Sequence, residues 1–220
     1  MIGRTNIPTG RFAVNYADPM THRDPVATRR LILEIGQEEV YLRGFQAASL
    51  DGILRRAGVT KGAFFHHFPT KTEFGYAIVD EMLAGMIAAQ WVGPLRSSAD
   101  PLETIAVEFE RGAEVLSRQR PILGCPLNNL AQEMNPLDDG FRVRTSAVFG
   151  LWRDTFRGAL HRGQRAGVVL SSVETTDAAY ALVAQIEGTL SLARNSQDPA
   201  DLQAGARGLR RHLDSMRAAL

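Results

Sequence analysis

The sequence predicts an all-α protein of about nine helices. Apolar residues recur three and four positions apart along most of the chain, and no stretch shows the strict alternation of a half-buried strand. Asp-Pro pairs and single Ser or Thr residues precede the periodic stretches, as residues that cap helix starts do. A length of 220 residues suits one large domain or a small domain joined to a larger one.

The first four helices are bounded by capping residues, glycines and prolines. Their predicted starts are Asp24-Pro25, Ser49, Thr60 and Thr70. Their predicted ends are Arg43-Gly44, Gly58, the residue before Pro69, and Trp91, ahead of Pro94. The third helix has only about seven residues, too few to be stable without packing.

The five later helices are mostly longer. Their predicted starts are Asp100-Pro101, Gly124-Cys125-Pro126, Leu137, Thr176 and Asp198-Pro199. The first four of them are expected to end near Arg118, Met134, Arg165 and Asn195. The last helix has apolar residues at alternating spacings of four and three, namely Leu202, Ala206, Leu209, Leu213, Met216 and Leu220. Such a heptad seam fits packing within the chain, but on a terminal helix it favours a homodimer through the last two helices.

Composition indicates a soluble, cytoplasmic protein. The single cysteine, Cys125, excludes an intrachain disulfide and fits a reducing compartment. No apolar run approaches the ~18 residues of a membrane span, so we expect no membrane association. Residues 1–23 lack the apolar centre of a signal peptide and are expected to form a mobile, mildly basic arm.

Charge is distributed unevenly along the chain. Residues 1–75 carry ten basic and seven acidic side chains, whereas residues 76–220 carry fifteen and seventeen. A weakly basic end on a slightly acidic body permits a polyanionic partner without requiring one.

The stretch GVTKGAFFHHFPTKTEF, residues 58–74, has the outline of a helix-turn-helix. Phe64 and Phe68, one turn apart, are expected to clamp the short third helix. The only two lysines of the chain, Lys61 and Lys71, flank that helix, where a flexible ammonium and free helix N–H groups attract phosphate. The adjacent His66 and His67 point about a third of a turn apart, so we expect no metal site and no cofactor.

Residues 24–76 resemble the N-terminal DNA-binding domain of the TetR family of transcriptional regulators. The resemblance runs through Gly44-Phe45, the turn Ala57-Gly58-Val59-Thr60, Gly62, His67-Phe68 and Lys71. It implies that the recognition helix holds Thr60, Lys61, Gly62, Ala63, Phe65, His66 and His67. It also implies that Lys71, Thr28 and Ser49 contact phosphates. Phe65 departs from the tyrosine that is usual in the family, so an apolar contact replaces the phenol hydrogen bond.

Cys125 precedes Pro126 at a predicted helix start, where the helix dipole stabilises a thiolate. One interpretation is a reactive, electrophile-sensing thiol, with Asn128 and Asn129 contacting a ligand or a modified sulfur. The other is a small buried apolar residue beside asparagines that serve their own backbone. The string Gly-Cys-Pro-Leu-Asn-Asn-Leu resembles a stretch in the effector domains of one branch of the TetR family.

Residues 77–220 resemble the family in layout only, which implies a helical effector-binding and dimerisation domain. Aromatic residues along its helices, among them Phe109, Trp152, Phe156 and Tyr180, either line a cavity for an apolar small molecule or fill a core. The function predicted is a ligand-responsive regulator, a repressor and not an enzyme, that binds a near-palindromic double-stranded DNA operator as a homodimer. The alternative is an all-α thiol-dependent enzyme or ligand carrier that uses Cys125, with His161 brought close by the fold.

Overall fold

The structure, a computed structural model, describes residues 24–219 and contains nine helices in that range. They are α1 (Pro25–Arg43), α2 (Leu50–Ala57), α3 (Lys61–His67), α4 (residues 71–96), α5 (Pro101–Ser117), α6 (Pro126–Met134), α7 (Asp139–Arg165), α8 (Thr175–Ser196) and α9 (Pro199–Ser215). The extended pairing among these residues is one antiparallel bridge between Val169 and Arg217. The all-α class and the number of helices are therefore confirmed, while the arm predicted for residues 1–23 lies outside the described residues.

Most helix starts are confirmed by side-chain hydrogen bonds to free backbone N–H groups. The capping residues at the predicted starts are Asp24, Ser49, Thr60, Thr70, Asp100 and Asp198. Helix α7 begins at Asp139, capped by Asp138, rather than at the predicted Leu137. The prediction for α8 was wrong by two residues, because Thr176 lies in its first turn and Glu174 occupies the cap position without a side-chain bond. No helix between residues 24 and 219 is long and apolar enough to cross a membrane.

Helix α4 continues past its predicted end at Trp91, through Pro94, to residue 96. It contains two π-helical turns, Ile78–Leu83 and Ala88–Val92. In the second, the Gly93 N–H bonds to the Ala88 carbonyl five residues earlier. The hydrogen-bond register has therefore already shifted just ahead of Pro94, so the missing proline N–H does not end the helix.

The first three helices pack around a cluster of phenylalanines. Phe64, Phe68 and Phe74 are all at most 2% exposed, and their ring centroids lie 5.0–5.4 Å apart. The Phe74 ring occupies the space beside Gly36 of α1, where a Cβ would stand 2.0 Å from its Cζ. The predicted clamp on the short α3 is thus confirmed, with α4 supplying the third ring.

Helices α5, α7, α8 and α9 form the larger part of the molecule, with α9 packed against α5 and α8. The seam of α9 faces this packing, since Leu202, Leu209 and Leu213 are at most 1% exposed and Met216 is 5% exposed. The seam is therefore core within one chain, and the interpretation of it as a dimer interface was wrong. The heptad spacing fits both arrangements, because α9 crosses two helices of its own chain along that stripe.

Candidate functional site

The outer edge of α3 is exposed while its inner side is buried. Lys61, Gly62 and His66 are exposed, and Phe65 is 40% exposed with its ring 5.3 Å from that of buried Phe64. Ala63 and His67 are half-buried beside them. The structure thus brings together the residues predicted for the recognition helix on one accessible surface, which we call the α3 edge (Thr60, Lys61, Gly62, Ala63, Phe65, His66 and His67).

Hydroxyl groups at the starts of two helices border this surface. The exposed Thr60 accepts a hydrogen bond from the Ala63 N–H at 3.2 Å, and the exposed Ser49 accepts one from the Gly52 N–H at 3.1 Å. Accepting a bond leaves each hydroxyl its own O–H donor. Both side chains can therefore cap a helix and donate to an outside acceptor such as a phosphate oxygen.

Lys61 provides the positive charge of the α3 edge. No carboxylate among residues 24–219 forms an ion pair with it. The pKa of His67 is lowered by burial and by the neighbouring His66 and Arg29, so its imidazole is uncharged at neutral pH. The α3 edge therefore combines one ammonium with aromatic and hydroxyl groups.

Two residues predicted to contact phosphate lie in other surroundings. Thr28 is on the inner side of α1 and only 8% exposed, which does not suit its predicted phosphate contact. The Lys71 ammonium donates to the carbonyls of Gln46 and Ala48 at 3.1 and 2.9 Å and lies 5.1 Å from the Phe45 ring. Lys71 thus fastens the loop between α1 and α2, which the sequence did not reveal.

The same loop is held from its other side by Glu133 of α6. Its carboxylate accepts hydrogen bonds from the Phe45 and Gln46 N–H groups at 2.8 and 2.9 Å. Gly44, at φ +85°, leaves room for it, since a Cβ there would stand 2.8 Å from a carboxylate oxygen. We call this arrangement the Glu133 clamp (Glu133 with the N–H groups of Phe45 and Gln46). It connects the body of the protein directly to the helix-turn-helix.

Cys125 lies at the start of α6 but is buried, with 7% of its surface exposed. Burial, followed by the nearby Glu187 carboxyl, raises the pKa of this thiol well above its usual value. The thiolate predicted from the helix dipole is therefore wrong, because desolvation outweighs the dipole. Burial fits the other interpretation of Cys125 as a small buried residue, although Asn128 bonds Ser191 of α8 rather than its own backbone.

Glu187 is the unexpected residue of this region. It lies on the buried stripe of α8 with Val183, Ile186 and Leu190 and is 9% exposed. Neither carboxyl oxygen has a hydrogen-bonding partner within the described residues. Burial raises the pKa of Glu187 to about 7, although Cys125 and Asn128 approach closely enough to favour its charged form slightly. An acid on an apolar stripe at helical spacing is the sequence signal that would have identified it.

A cleft of about 420 Å³ opens between α1, α4, α6 and α8. Its lining includes Tyr41, Pro126, Asn129, Glu133 and Arg194. Asn129 donates to the Leu123 carbonyl at 2.7 Å and accepts from Arg194 at 2.6 Å. Of the asparagines predicted to meet a ligand, Asn129 therefore lines this cleft, while Asn128 lies beside Glu187 and Ser191.

The aromatic residues predicted to line a cavity are mostly core. Phe109, Trp152 and Phe156 are at most 2% exposed, and they line neither this cleft nor a second, smaller one between α5 and α9. Trp152 stacks on Trp91 with centroids 5.4 Å apart. Tyr180 is 62% exposed, so its predicted place in the lining was wrong. It lies instead on the outer surface of α8, near Arg153.

The arrangement required by the thiol-enzyme alternative is not found. His161 lies on the exposed side of α7, whereas Cys125 is buried beside Glu187. Among residues 24–219 no group of three or more His, Cys, Asp or Glu residues is placed to hold a metal ion.

Comparison with known protein families decides the assignment. Residues 32–75 match the profile of bacterial regulatory proteins of the tetR family, and residues 101–209 match that of the tetracyclin repressor-like C-terminal domain. The chain belongs to the TetR family of transcriptional regulators. As in other TetR-family proteins, α2 and α3 form the DNA-binding helix-turn-helix.

Relatives of known description agree with this membership. The transcriptional regulator AcuR of Cereibacter sphaeroides is 27% identical over 86% of this chain and 86% of its own length. The repressor DhaR of a Mycobacterium species is 26% identical over 76% of this chain and 82% of its own length. A TetR regulator from Chloroflexus aurantiacus has the same fold, with a TM-score of 0.79 and 23% identity over 90% of this chain and all of its own.

Proposed function

We propose that this TetR-family regulator is a cytoplasmic, ligand-responsive repressor that binds a near-palindromic operator as a homodimer. The observation that carries the proposal is the α3 edge, which is rigid on its buried side and accessible on the other. Its small residues, Gly62 and Ala63, allow the backbone to approach a duplex. Lys61 is positioned for a phosphate, and Phe65 for a sugar or a thymine methyl group. The relative DhaR is a transcriptional repressor, which supports repression as the direction of regulation.

The proposed homodimer uses the outer surfaces of α8 and α9 rather than the buried seam. On α8, Ala181, Ala184, Gly188 and Ser191 are all exposed and follow one another at spacings of three and four. Small side chains at such spacing allow another helix to approach closely. A two-fold axis through this surface would relate two copies of the α3 edge, as a palindromic operator requires.

Release from DNA requires a link between an effector and the α3 edge. The Glu133 clamp provides one link from α6, and α4 provides another, since it runs from Lys71 in the helix-turn-helix to residue 96 in the body. Movement of α6 or α4 on effector binding would shift the helix-turn-helix and change the spacing of the two α3 edges. A coupling free energy of ~1–3 kcal/mol changes DNA affinity five- to 150-fold.

The effector we propose binds without a covalent bond. An electrophile would need access to a nucleophilic sulfur, and Cys125 is buried and held as a thiol at neutral pH. Titration of the native protein with a thiol reagent checks this point. We expect no reaction until the protein is denatured, and rapid modification of the native chain would favour the electrophile instead.

Selection of bound sequences from random double-stranded DNA tests the proposed function. We expect enrichment of near-palindromes whose half-sites are centred about one helical turn apart, roughly 34–36 Å. A Lys61→Ala variant serves as the control and should enrich no sequence or enrich it far more weakly. Absence of any enriched sequence with the wild-type chain, or enrichment of a single asymmetric site, would contradict the proposal.

A further inference from the structure

The carboxyl group of Glu187 is buried without the partners that buried acids usually have. It is 9% exposed, and neither oxygen is hydrogen-bonded to a described residue. Arg194, two turns further along α8, is bonded to Asn129 and is not among the groups that shift the pKa of Glu187. A buried polar group left unsatisfied costs free energy, and removal of a carboxyl group from water costs more than removal of a neutral group.

The groups around Glu187 come from three helices. From α6 it is faced by Cys125 and by Asn128, whose amide lies 3.4 Å from the Ser191 hydroxyl on α8. From α1, Tyr41 reaches the same place, since its hydroxyl donates to the Gly124 carbonyl at 2.6 Å. Burial, and after it the nearby Cys125, raises the pKa of the Tyr41 phenol. Glu187 thus lies at the junction of α1, α6 and α8, beside the first residues of α6.

The 420 Å³ cleft lies near this junction. Among its lining residues, Pro126 follows Cys125 in sequence and Tyr41 bonds the Gly124 carbonyl. Asn129 bonds the Leu123 carbonyl, and Arg194 bonds Asn129. Its volume lies within the range of pockets that hold small organic ligands, about 300–1,000 Å³. The cleft therefore lies beside α6, the helix that also carries Asn128.

We propose that Glu187, with Cys125 and Asn128, is the polar subsite of the effector-binding region and accepts a hydrogen bond from an N–H or O–H group on an otherwise apolar small molecule. The subsite favours ligand donors because the two carboxyl oxygens of Glu187 accept no hydrogen bond from a described residue. Apolar neighbours on α8, Val183 and Leu190, favour an apolar frame for the rest of the ligand. The proposal rests on the proposed function and identifies the class of molecule to which the regulator responds.

Binding at this subsite has a direct route to the DNA-binding domain. Cys125 and Asn128 lie at the first turn of α6, and Glu133 lies in its last turn. A ligand donor that draws Glu187 towards itself displaces the start of α6, and a nine-residue helix transmits that displacement to the Glu133 clamp. The subsite and the helix-turn-helix are therefore opposite ends of one rigid element.

Three probes of matched size test the donor requirement. Phenethylamine, an ammonium ion at pH 8, carries N–H donors with a positive charge, and 2-phenylethanol carries a neutral O–H donor. Both have the frame of ethylbenzene, which has no donor. Binding to the full-length chain is measured by calorimetry at pH 8, where Glu187 is mostly charged, with Glu187→Gln as the test variant and Asp177→Asn as the control. Asp177 is an exposed acid on the same helix, so its replacement removes a charge without touching the site.

We expect the two donor probes to bind the wild-type chain and the Asp177→Asn variant at least tenfold more tightly than ethylbenzene. The Glu187→Gln variant should lose that preference. NMR of the labelled glutamate carboxyl should also show the pKa of Glu187 falling when a donor probe binds, a change that a merely structural residue would not show. Equal binding of the three probes, binding by none, or a preference that survives Glu187→Gln would overturn the proposal. A chain that fails these tests but still retains DNA would leave the regulator function standing.

Discussion

Lys61 and Lys71 are ten residues apart and have different surroundings. Lys61 is exposed on the α3 edge, whereas the Lys71 ammonium bonds two carbonyls of the loop between α1 and α2. The spacing of the two lysines predicts that they lie on either side of α3, and the structure places them there. It does not predict which carbonyls lie within reach of Lys71, because that depends on the packing of α4 against a loop 23 residues away.

Replacement of Lys71 by alanine should destabilise the free protein. Two carbonyls lose a charged donor, which corresponds to about 1–3 kcal/mol in the free energy of unfolding. Urea denaturation of the Lys71→Ala and Lys61→Ala variants measures it, and we expect Lys61→Ala to lie within about 0.5 kcal/mol of the wild type. Equal stability of the two variants would show that Lys71 does not hold the loop.

Stability should fall as the pH rises through the titration of Glu187. Its pKa is about 7 in the folded chain and 4.5 when unperturbed, so the folded state binds the proton more tightly. The stabilising effect of the protonated acid is fully present below pH 4.5 and is lost as the pH rises to about 7 and above. The free energy of unfolding is therefore expected to fall by about 3 kcal/mol over this pH range, at 1.36 kcal/mol per pKa unit.

Denaturation of the wild type and of Glu187→Gln at pH 5 and pH 8 checks this dependence. The variant should be more stable than the wild type at pH 8. The difference between their free energies of unfolding should be smaller at pH 5. The Asp177→Asn variant should follow the wild type at both pH values. A gap that is the same at the two pH values would contradict the raised pKa.

At the scale of elements, the starts of helices were predictable from the sequence. The continuation of a helix through a proline, and the neighbours that a helix packs against, were not. Asp and Ser or Thr caps act within three residues of their own position, so Asp24, Thr60 and Asp198 mark helix starts in the sequence and in the structure. The passage of α4 through Pro94 depends on a π-turn, which no local sequence rule indicates. The side on which α9 buries its seam depends on α5 and α8, far away in sequence.

The Glu133 clamp gives a prediction for α6 as an element. Glu133→Gln keeps the size of the side chain but turns one acceptor into a donor that faces a backbone N–H. We expect a loss of about 1–3 kcal/mol in the free energy of unfolding and a weaker link between α6 and the helix-turn-helix. Hydrogen exchange at Phe45 and Gln46 measures the link directly and should become faster. Glu114→Gln removes an exposed charge paired with Arg118 and should leave that exchange unchanged.

The whole molecule combines two parts, and the function of the first is easier to predict from its sequence than that of the second. The helix-turn-helix has a fixed task and a recognisable string of residues, from Gly44 to Lys71. The body has no comparable string, and its polar residues of interest, Glu133 and Glu187, stand in no motif. Their importance follows from contacts between helices, which spacing along one helix does not reveal.

Dimerisation is the prediction that belongs to the whole molecule. Gly188→Arg places a long charged side chain on the exposed stripe of α8, where a Cβ meets no atom within 4 Å in the single chain. We expect the variant to fold and to sediment as a monomer, with weak binding to a palindromic duplex. Val107→Arg, at an exposed position of α5, serves as the control and should remain a dimer. A Gly188→Arg dimer in analytical ultracentrifugation would place the interface elsewhere.

The salt dependence of DNA binding by the wild type and by Lys61→Ala tests most directly whether the α3 edge meets the duplex. The fluorescence anisotropy of a labelled duplex from the selected pool gives the affinity at several salt concentrations. Loss of one phosphate contact in each protomer should weaken binding and reduce the slope of log affinity against log salt by about 1.8, since each contact contributes ~0.9. An affinity and a slope identical to those of the wild type would contradict this account of the α3 edge.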